Sequence, residues 1–212
     1  MIFPNPTTDN SVLLVIDVIN SCAHREYEDP ARSIHYNKIR RMIPALSTFI
    51  ASYKQLGGRV ILTTTVPWQE SHLPENINEL YRNSEEARYW SQDTTGRAER
   101  FFQIPTDGAL VFAKNSYDAF TNENFVHALE EMHIRYIIVA GLFGDGCVMA
   151  SICGGFSKGY HLIIAKDLIE TTDDEERQML QQYLKQRTWP LMYGATVESQ
   201  QILDAFSPGN PQ

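Results

Sequence analysis

A buried strand, a glycine-rich turn and a helix follow one another directly within residues 135–159. Residues 136–140 form a β-branched and aliphatic run, the composition of a strand buried on both faces of a parallel sheet. Apolar side chains then recur at helical spacing at Val148, Ile152 and Phe156, and Gly159 favours a helix end. A strand that passes straight into a helix is the repeating unit of α/β proteins, so this segment constrains the fold strongly.

Three glycines crowd the turn between this strand and this helix, at positions 141, 144 and 146. The backbone must therefore bend sharply there or approach a ligand closely. Cys147 lies at or near the helix N-terminus, where the helix dipole favours an anion and can lower the pKa of a thiol. Free amides of the turn can also donate to a developing oxyanion. On position alone, Cys147 is either a nucleophile or a small buried structural thiol.

The same alternation of strands and helices continues along the chain. Strands are predicted at residues 11–16, 59–66, 109–113, 136–140, 161–166 and 196–199. Helices are predicted at 34–56, 122–132, 147–158, 172–186 and 200–206. This order predicts an α/β fold with a parallel, doubly wound sheet and right-handed crossovers. We expect one domain over residues 1–212, because this length supports one sizeable core.

The overall composition disfavours several classes of partner. The formal charge of −8 argues against nucleic acid and anionic membrane surfaces. A basic segment followed by an apolar run is missing at the N-terminus, and no apolar stretch has membrane length, so neither a signal peptide nor a membrane span is expected. The three cysteines lack metal-type spacing, and their odd number fits a reducing cytosol. We therefore expect a cytoplasmic protein.

Three residues of complementary chemistry stand at the carboxyl ends of three predicted strands: Asp17, Lys114 and Cys147. In a parallel sheet these strand ends lie on one edge, so the side chains can converge. A carboxylate can take the proton of a thiol, and a nearby ammonium stabilises both carboxylate and thiolate. For Asp17, a loop or capping role is the structural alternative.

The ordered set of motifs resembles the isochorismatase-like cysteine hydrolase superfamily over about residues 12–197. The motifs are an apolar strand that ends in Asp17, the run Lys114-Asn-Ser-Tyr-Asp-Ala-Phe120, and Gly141-x-x-x-Asp145-x-Cys147-Val148. The resemblance implies a three-layer sandwich with a mostly parallel six-stranded sheet and an Asp17–Lys114–Cys147 triad. It also implies a cis peptide at Leu142-Phe143, an oxyanion hole made by the backbone amides of Phe143 and Cys147, and a homodimer or tetramer.

Two features depart from the family pattern. Gly144 stands where the family often has threonine, which would loosen the turn. Nicotinamidase-type members carry an Asp-x-His motif after the second strand, whereas residues 63–72 contain one histidine and no such motif. Because His24 and His72 do not form a ligand set with the usual spacing, we predict no metal and no cofactor, and disfavour nicotinamidase activity.

Further residues are candidates for substrate binding, each with a structural alternative. Asn20 could donate to a substrate carbonyl or belong to a turn. Trp68 lies in the irregular, aromatic-rich segment 67–108, which indicates cover over a pocket, packing onto the core, or a contact with a second subunit. The other candidates that could line the pocket or pack in the core are Tyr117, Phe120 and Leu142. Cys153 is expected in the core, off the site face.

The predicted function is a metal-independent amidohydrolase that acts on a small linear amide or carbamoyl (ureido) compound through a thioester and releases ammonia. The alternative within enzymes is hydrolysis of isochorismate's vinyl ether, which would require basic side chains for two carboxylates. The available arginines are Arg82, Arg88, Arg97 and Arg100. A catalytically idle scaffold and a thiol-redox protein are further alternatives; the complete triad disfavours the first, and the lack of Cys-x-x-Cys disfavours the second.

Overall fold

The computed structural model describes residues 6–84 and 95–207. Its strands are β1 (Ser11–Ile16), β2 (Arg59–Thr65), β3 (Leu110–Lys114), β4 (Tyr136–Leu142), β5 (His161–Glu170) and β6 (Gly194–Val197). Its α-helices are α1 (Asn20–Ala23), α2 (Asn37–Gln55), α3 (Glu75–Asn83), α4 (Glu123–Glu131), α5 (Met149–Ser157), α6 (Glu175–Tyr183), α7 (Trp189–Met192) and α8 (Ser199–Phe206). A kinked turn with non-helical backbone at Gly146 precedes α5 at Gly144–Val148, and a wider π-helical turn precedes α7 at Leu184–Thr188.

All six strands pair in parallel, in the order β3-β2-β1-β4-β5-β6. The predicted six-stranded α/β fold is therefore confirmed, with an entirely parallel sheet. Strands β2 and β3 lie on one side of β1 in the sheet, and β4, β5 and β6 lie on the other side. The strand order therefore reverses between β1 and β4, and ligands of open α/β sheets bind at the carboxyl ends of strands beside such a point.

Alternating side chains of each strand pack against helices on opposite faces of the sheet. Leu13 and Val15 belong to a cluster with apolar residues of α2 and α8. Val12, Leu14 and Ile16 belong to a second cluster with α4, α5 and α7. Because both faces are covered, every residue of β1 is buried, which explains why the strand has no polar alternation in the sequence.

Several element boundaries differ from the predicted ones for identifiable reasons. Helix α3 lies inside the segment expected to be irregular; it is short and polar, with only Ile77 and Asn78 buried among its nine residues. Strand β5 continues to Glu170 through a register shift against β4, so the polar pair 166–167 does not end it. Within the described residues, no helix has the length and apolarity needed to cross a bilayer.

Candidate active site

The side chains of Asp17, Lys114 and Cys147 converge at the carboxyl edge of the sheet. Asp17 directly follows β1, Lys114 is the last residue of β3, and Cys147 lies in the turn after β4. Lys114 Nζ lies 2.7 Å from Asp17 Oδ2 and 3.3 Å from Cys147 Sγ. The ammonium therefore bridges the carboxylate and the thiol, as the sequence analysis predicted for residues brought to one edge.

Each charged group of this cluster has further partners that fix its position. Thr63 on β2 donates a hydrogen bond from Oγ1 to Asp17 Oδ1 at 2.8 Å and accepts one from the Asp17 amide at 3.2 Å. The third hydrogen bond of the Lys114 ammonium goes to the carbonyl of Ser116 at 2.9 Å. Both charged side chains are almost completely buried, so their hydrogen bonds replace the water that they lost. The sequence analysis did not identify Thr63, because a threonine in a β-rich run gives no functional signal.

The surroundings of the Cys147 thiol favour its protonated form. Burial raises its pKa to about 12, the charge of Lys114 opposes this shift, and the charge of Asp17 and a hydrogen bond with it add to it. The lowered thiol pKa expected at a helix N-terminus is therefore not found, because burial and the neighbouring carboxylate dominate. The pKa of Lys114 is raised, because the attraction of Asp17 and Cys147 exceeds the effect of burial. The ammonium is thus charged at neutral pH.

The turn that carries Cys147 has the geometry expected from its glycines. The peptide Leu142-Phe143 is cis, and Gly141 has φ 116°, where a Cβ atom would lie 2.2 Å from the carbonyl oxygen of Ile16. A Cβ atom on Gly144 would lie 2.1 Å from Gln181 Oε1. Gln181 is fully buried and fills the space that a side chain at position 144 would need. The expected loosening of the turn is therefore wrong, because α6 supplies the missing packing.

Asp145 anchors the same turn to the segment after β5 and to α6. Its Oδ2 accepts from Arg177 Nε at 2.7 Å, and its Oδ1 accepts from Arg177 at 2.9 Å and from Thr171 Oγ1 at 2.6 Å. The guanidinium of Arg177 also stacks over the ring of Phe143, 5.0 Å from its centroid. One arginine thus holds residues on both sides of Gly144, which gives the turn that carries Cys147 a rigid support.

A cleft opens directly onto Cys147 and encloses about 500 Å³ of empty space including its mouth. Six of the predicted site residues line it: Asp17, Trp68, Tyr117, Leu142, Phe143 and Cys147. Residues that the sequence analysis had not selected complete the wall: Ser21, Cys22, Thr65, Ala98 and Glu99.

Two predicted substrate-binding residues lie elsewhere. Asn20 is not among the residues that line the cleft; its side-chain amide donates to the carbonyl of Arg97 at 2.8 Å, so it holds a loop. Phe120 is buried in the core, where Gly155 leaves room for its ring, so the core alternative is correct for this residue. Cys153 is half-buried and contacts the Tyr193 hydroxyl at 3.5 Å, away from the cleft, so its expected place in the core is wrong.

The two candidate metal-ligating histidines lie outside the cleft. His24 Nδ1 accepts a hydrogen bond from the Glu26 amide, and His72 Nδ1 lies 3.1 Å from the carbonyl of Pro67. Within residues 6–84 and 95–207, no group of three or more His, Cys, Asp and Glu residues could hold a metal ion. The described side chains therefore do not fit a bound metal, and metal independence remains a prediction for experiment.

Comparison with known proteins gives one family. The isochorismatase domain model matches residues 11–196. The uncharacterized isochorismatase family protein YaaI of Bacillus subtilis is 28% identical over 74 residues, which span 35% of this chain and 41% of that protein, less than half its length.

Two solved structures have the same fold. A cysteine hydrolase from Pseudomonas syringae pv. phaseolicola 1448A has a TM-score of 0.79 at 14% identity, over 95% of this chain and 94% of that one. N-carbamoylsarcosine amidase from Thermoplasma acidophilum has a TM-score of 0.63 at 19% identity, over 89% and 95% of the two chains.

Proposed function

This chain belongs to the isochorismatase family of hydrolases, and we propose that within it the protein is a metal-independent cysteine amidohydrolase of small linear amides or carbamoyl (ureido) compounds. The observation that carries the proposal is the bridging ammonium of Lys114, 2.7 Å from a carboxylate oxygen of Asp17 and 3.3 Å from the sulfur of Cys147. A base, a cation and a nucleophile are thus assembled beside a cleft that Cys147 helps to line. The similarity in fold to an N-carbamoylsarcosine amidase is compatible with this class.

The first half of the proposed reaction forms a thioester. Asp17 takes the thiol proton while Cys147 Sγ bonds to the substrate carbonyl carbon, and the backbone amides of Phe143 and Cys147 stabilise the oxyanion. The raised pKa of the thiol requires this proton transfer to accompany the attack. Collapse of the tetrahedral adduct breaks the C–N bond, and Asp17 returns the proton to the leaving ammonia or amine.

The second half regenerates the enzyme. Asp17 removes a proton from water, whose oxygen attacks the thioester carbonyl, and the C–S bond then breaks. The thiolate recovers the proton from Asp17, and the product acid leaves. Lys114 remains charged throughout and stabilises whichever of Asp17 and Cys147 is the anion.

The isochorismate alternative has less support from the cleft. Among the described residues that line it, none is an arginine or lysine that could hold a carboxylate. Arg82 pairs with Glu75 at the surface, and Arg97 pairs with Glu26. Arg100 is exposed, and Arg88 lies outside the described residues. An idle scaffold has less support too, because a buried carboxylate, ammonium and thiol held together in a cleft are costly groups that are typical of functional sites.

The proposal is tested by ammonia release from a panel of small amides, carbamoyl amino acids, ureido compounds and biuret, with and without chelator. We expect at least one substrate whose hydrolysis survives the chelator and is lost in Cys147→Ala, while Cys153→Ala retains it. Release that stops with chelator would contradict metal independence. If folded protein released nothing from any compound, the amide class would be wrong, and isochorismate would be the next substrate to assay.

A further inference from the structure

Glu99 forms part of the cleft wall, and one oxygen of its side chain has no hydrogen-bond donor. Its Oε2 is shielded from solvent, and within residues 6–84 and 95–207 no group donates to it. Folded proteins leave few buried polar atoms unsatisfied, and those that remain are often at functional sites. Glu99 is only partly buried and borders the cleft, so its carboxylate combines a shielded oxygen that has no donor with an edge that a bound molecule can approach.

The backbone around Glu99 is held in place from two sides. The Asn20 amide donates to the carbonyl of Arg100 at 2.8 Å, and the Ser21 amide donates to the carbonyl of Ala98 at 3.0 Å. Thr64 Oγ1 on β2 donates to the carbonyl of Glu99 itself at 2.7 Å. The segment is thus tied both to the chain after β1 and to the neighbouring strand. Glu99 has a fixed position relative to Cys147, as a recognition residue requires.

The charge of the cleft selects against anionic substrates. Asp17 and Glu99 both line it, and no lysine or arginine is found among the described lining residues. The nearby ammonium of Lys114 already donates to Asp17, Cys147 and the carbonyl of Ser116. A substrate carboxylate would therefore meet Glu99 without a cation to neutralise it, whereas an N–H group could donate to the carboxylate where Glu99 borders the cleft.

The same cleft also has an aromatic wall. The rings of Trp68 and Tyr117 stack with centroids 6.2 Å apart. Their polar atoms are turned to Tyr81 on α3: Trp68 Nε1 donates to the Tyr81 hydroxyl at 2.8 Å, and the two tyrosine hydroxyls lie 3.1 Å apart. The wall is thus mainly apolar ring surface, which binds flat ureido groups and attracts cations through its π faces.

We propose that Glu99 accepts hydrogen bonds from an N–H-bearing group at the end of the substrate remote from the scissile carbonyl. The substrate is accordingly a neutral or cationic amide or ureido compound that ends in a carboxamide, ureido or ammonium group, and carboxylate-bearing amides are poor substrates. This inference rests on the proposed amidohydrolase function and narrows its substrate class.

Three primary amides of equal chain length, ending in an ammonium, a carboxamide or a carboxylate, test the inference. In the wild-type enzyme, we expect kcat/KM for the ammonium and carboxamide compounds to exceed that for the carboxylate compound by tenfold or more. Glu99→Gln should raise KM about tenfold for the ammonium compound, an effect of about 1.4 kcal/mol, with kcat little changed. The same variant should raise kcat/KM for the carboxylate compound, because a repulsive charge is removed.

Two comparisons separate recognition from a structural role. Glu131→Gln removes the same charge from an exposed site on α4 and should alter none of the three rates. Thermal stability of Glu99→Gln should stay close to that of wild type, because Glu99 is only partly buried and no described group donates to its Oε2. The inference would be overturned if Glu99→Gln lowered kcat/KM equally for all three compounds, or if the wild-type enzyme preferred the carboxylate compound. Either result would leave the proposed amidohydrolase function standing. If the wild-type enzyme hydrolysed no amide, the proposed function itself would fail.

Discussion

Lys114 Nζ lies 3.3 Å from Cys147 Sγ while the same ammonium pairs with Asp17 at 2.7 Å. One ammonium thus lies between two acidic groups, the carboxyl of Asp17 and the thiol of Cys147. Ionising both at once in a buried site would be energetically costly. Because the Cys147 thiol has a raised pKa, the negative charge rests on Asp17 before the reaction, and proton transfer exchanges the two anions beside an ammonium that is already in place.

Removal of this ammonium should affect both activity and stability. Lys114→Met leaves Asp17 buried without its counter-charge, so we expect kcat/KM to fall by about 10²–10³ or more and the free energy of unfolding to fall by about 3–5 kcal/mol. The double variant Lys114→Met/Asp17→Asn should recover most of the stability and none of the activity. Lys158→Met on the exposed surface is the control for charge. Assays of turnover and urea unfolding check both effects, and a stable, active Lys114→Met would contradict this role.

The alkylation of Cys147 should depend on pH as expected for a thiol with a raised pKa. Below its pKa of about 12, the thiolate fraction grows with pH, so the rate with iodoacetamide should rise about tenfold per pH unit from pH 7 to 10. Asp17→Asn removes a group that raises this pKa and should accelerate alkylation at pH 8 although turnover is lost. Peptide mapping by mass spectrometry distinguishes Cys147 from the other cysteines. A rate that levels off below pH 7 would indicate a lowered pKa instead.

A side chain at position 144 should compete with Gln181 for the same space. Because a Cβ atom there would lie 2.1 Å from Oε1 of a fully buried residue, Gly144→Ala should cost about 1–3 kcal/mol in the free energy of unfolding. In a Gln181→Ala background the same substitution should cost much less. A double-mutant cycle by urea unfolding measures this coupling. Additive losses would show that the two residues do not share one packing position.

Arg177 should influence turnover through the turn that it supports. Arg177→Met removes two hydrogen bonds from Asp145 and the contact with the Phe143 ring, so we expect kcat to fall about tenfold, with a smaller change in KM, as the nucleophile loses its fixed position. Arg177→Lys should recover little, because lysine cannot reproduce the paired hydrogen bonds. The exposed Arg187→Met serves as the control. An unchanged kcat in Arg177→Met would show that Arg177 does not position Cys147 for the reaction.

The sequence predicted the parts of the site that depend on strand ends. Asp17, Lys114 and Cys147 could be found because a parallel sheet brings the carboxyl ends of its strands to one edge, whatever their separation in sequence. The role of Gln181 could not be predicted from the sequence, because it depends on which face of α6 packs against the turn that carries Cys147. The position of Glu99 in the cleft wall could not be predicted either, since its segment is held by hydrogen bonds to residues that are distant in sequence.

Other expectations from the sequence have different outcomes. Asn20 and Phe120 are not among the residues that line the cleft. Asn20 holds a backbone carbonyl, and Phe120 fits a gap left by a glycine in α5. Residues 85–94, which include Trp90, lie outside the described residues. The homodimer or tetramer, the metal independence and the cytoplasmic location remain predictions.

The most direct test of the account is the mass of the Cys147 peptide after acid quench during turnover of the best amide substrate. If Cys147 is the nucleophile, we expect a transient mass increase on its peptide equal to the acyl or carbamoyl group. The increase should disappear as substrate is consumed and be absent in Cys147→Ala. Hydroxylamine should divert the same intermediate to a hydroxamate. An adduct on a different residue, or a Cys147→Ala variant that turns over at the wild-type rate, would contradict nucleophilic catalysis by Cys147.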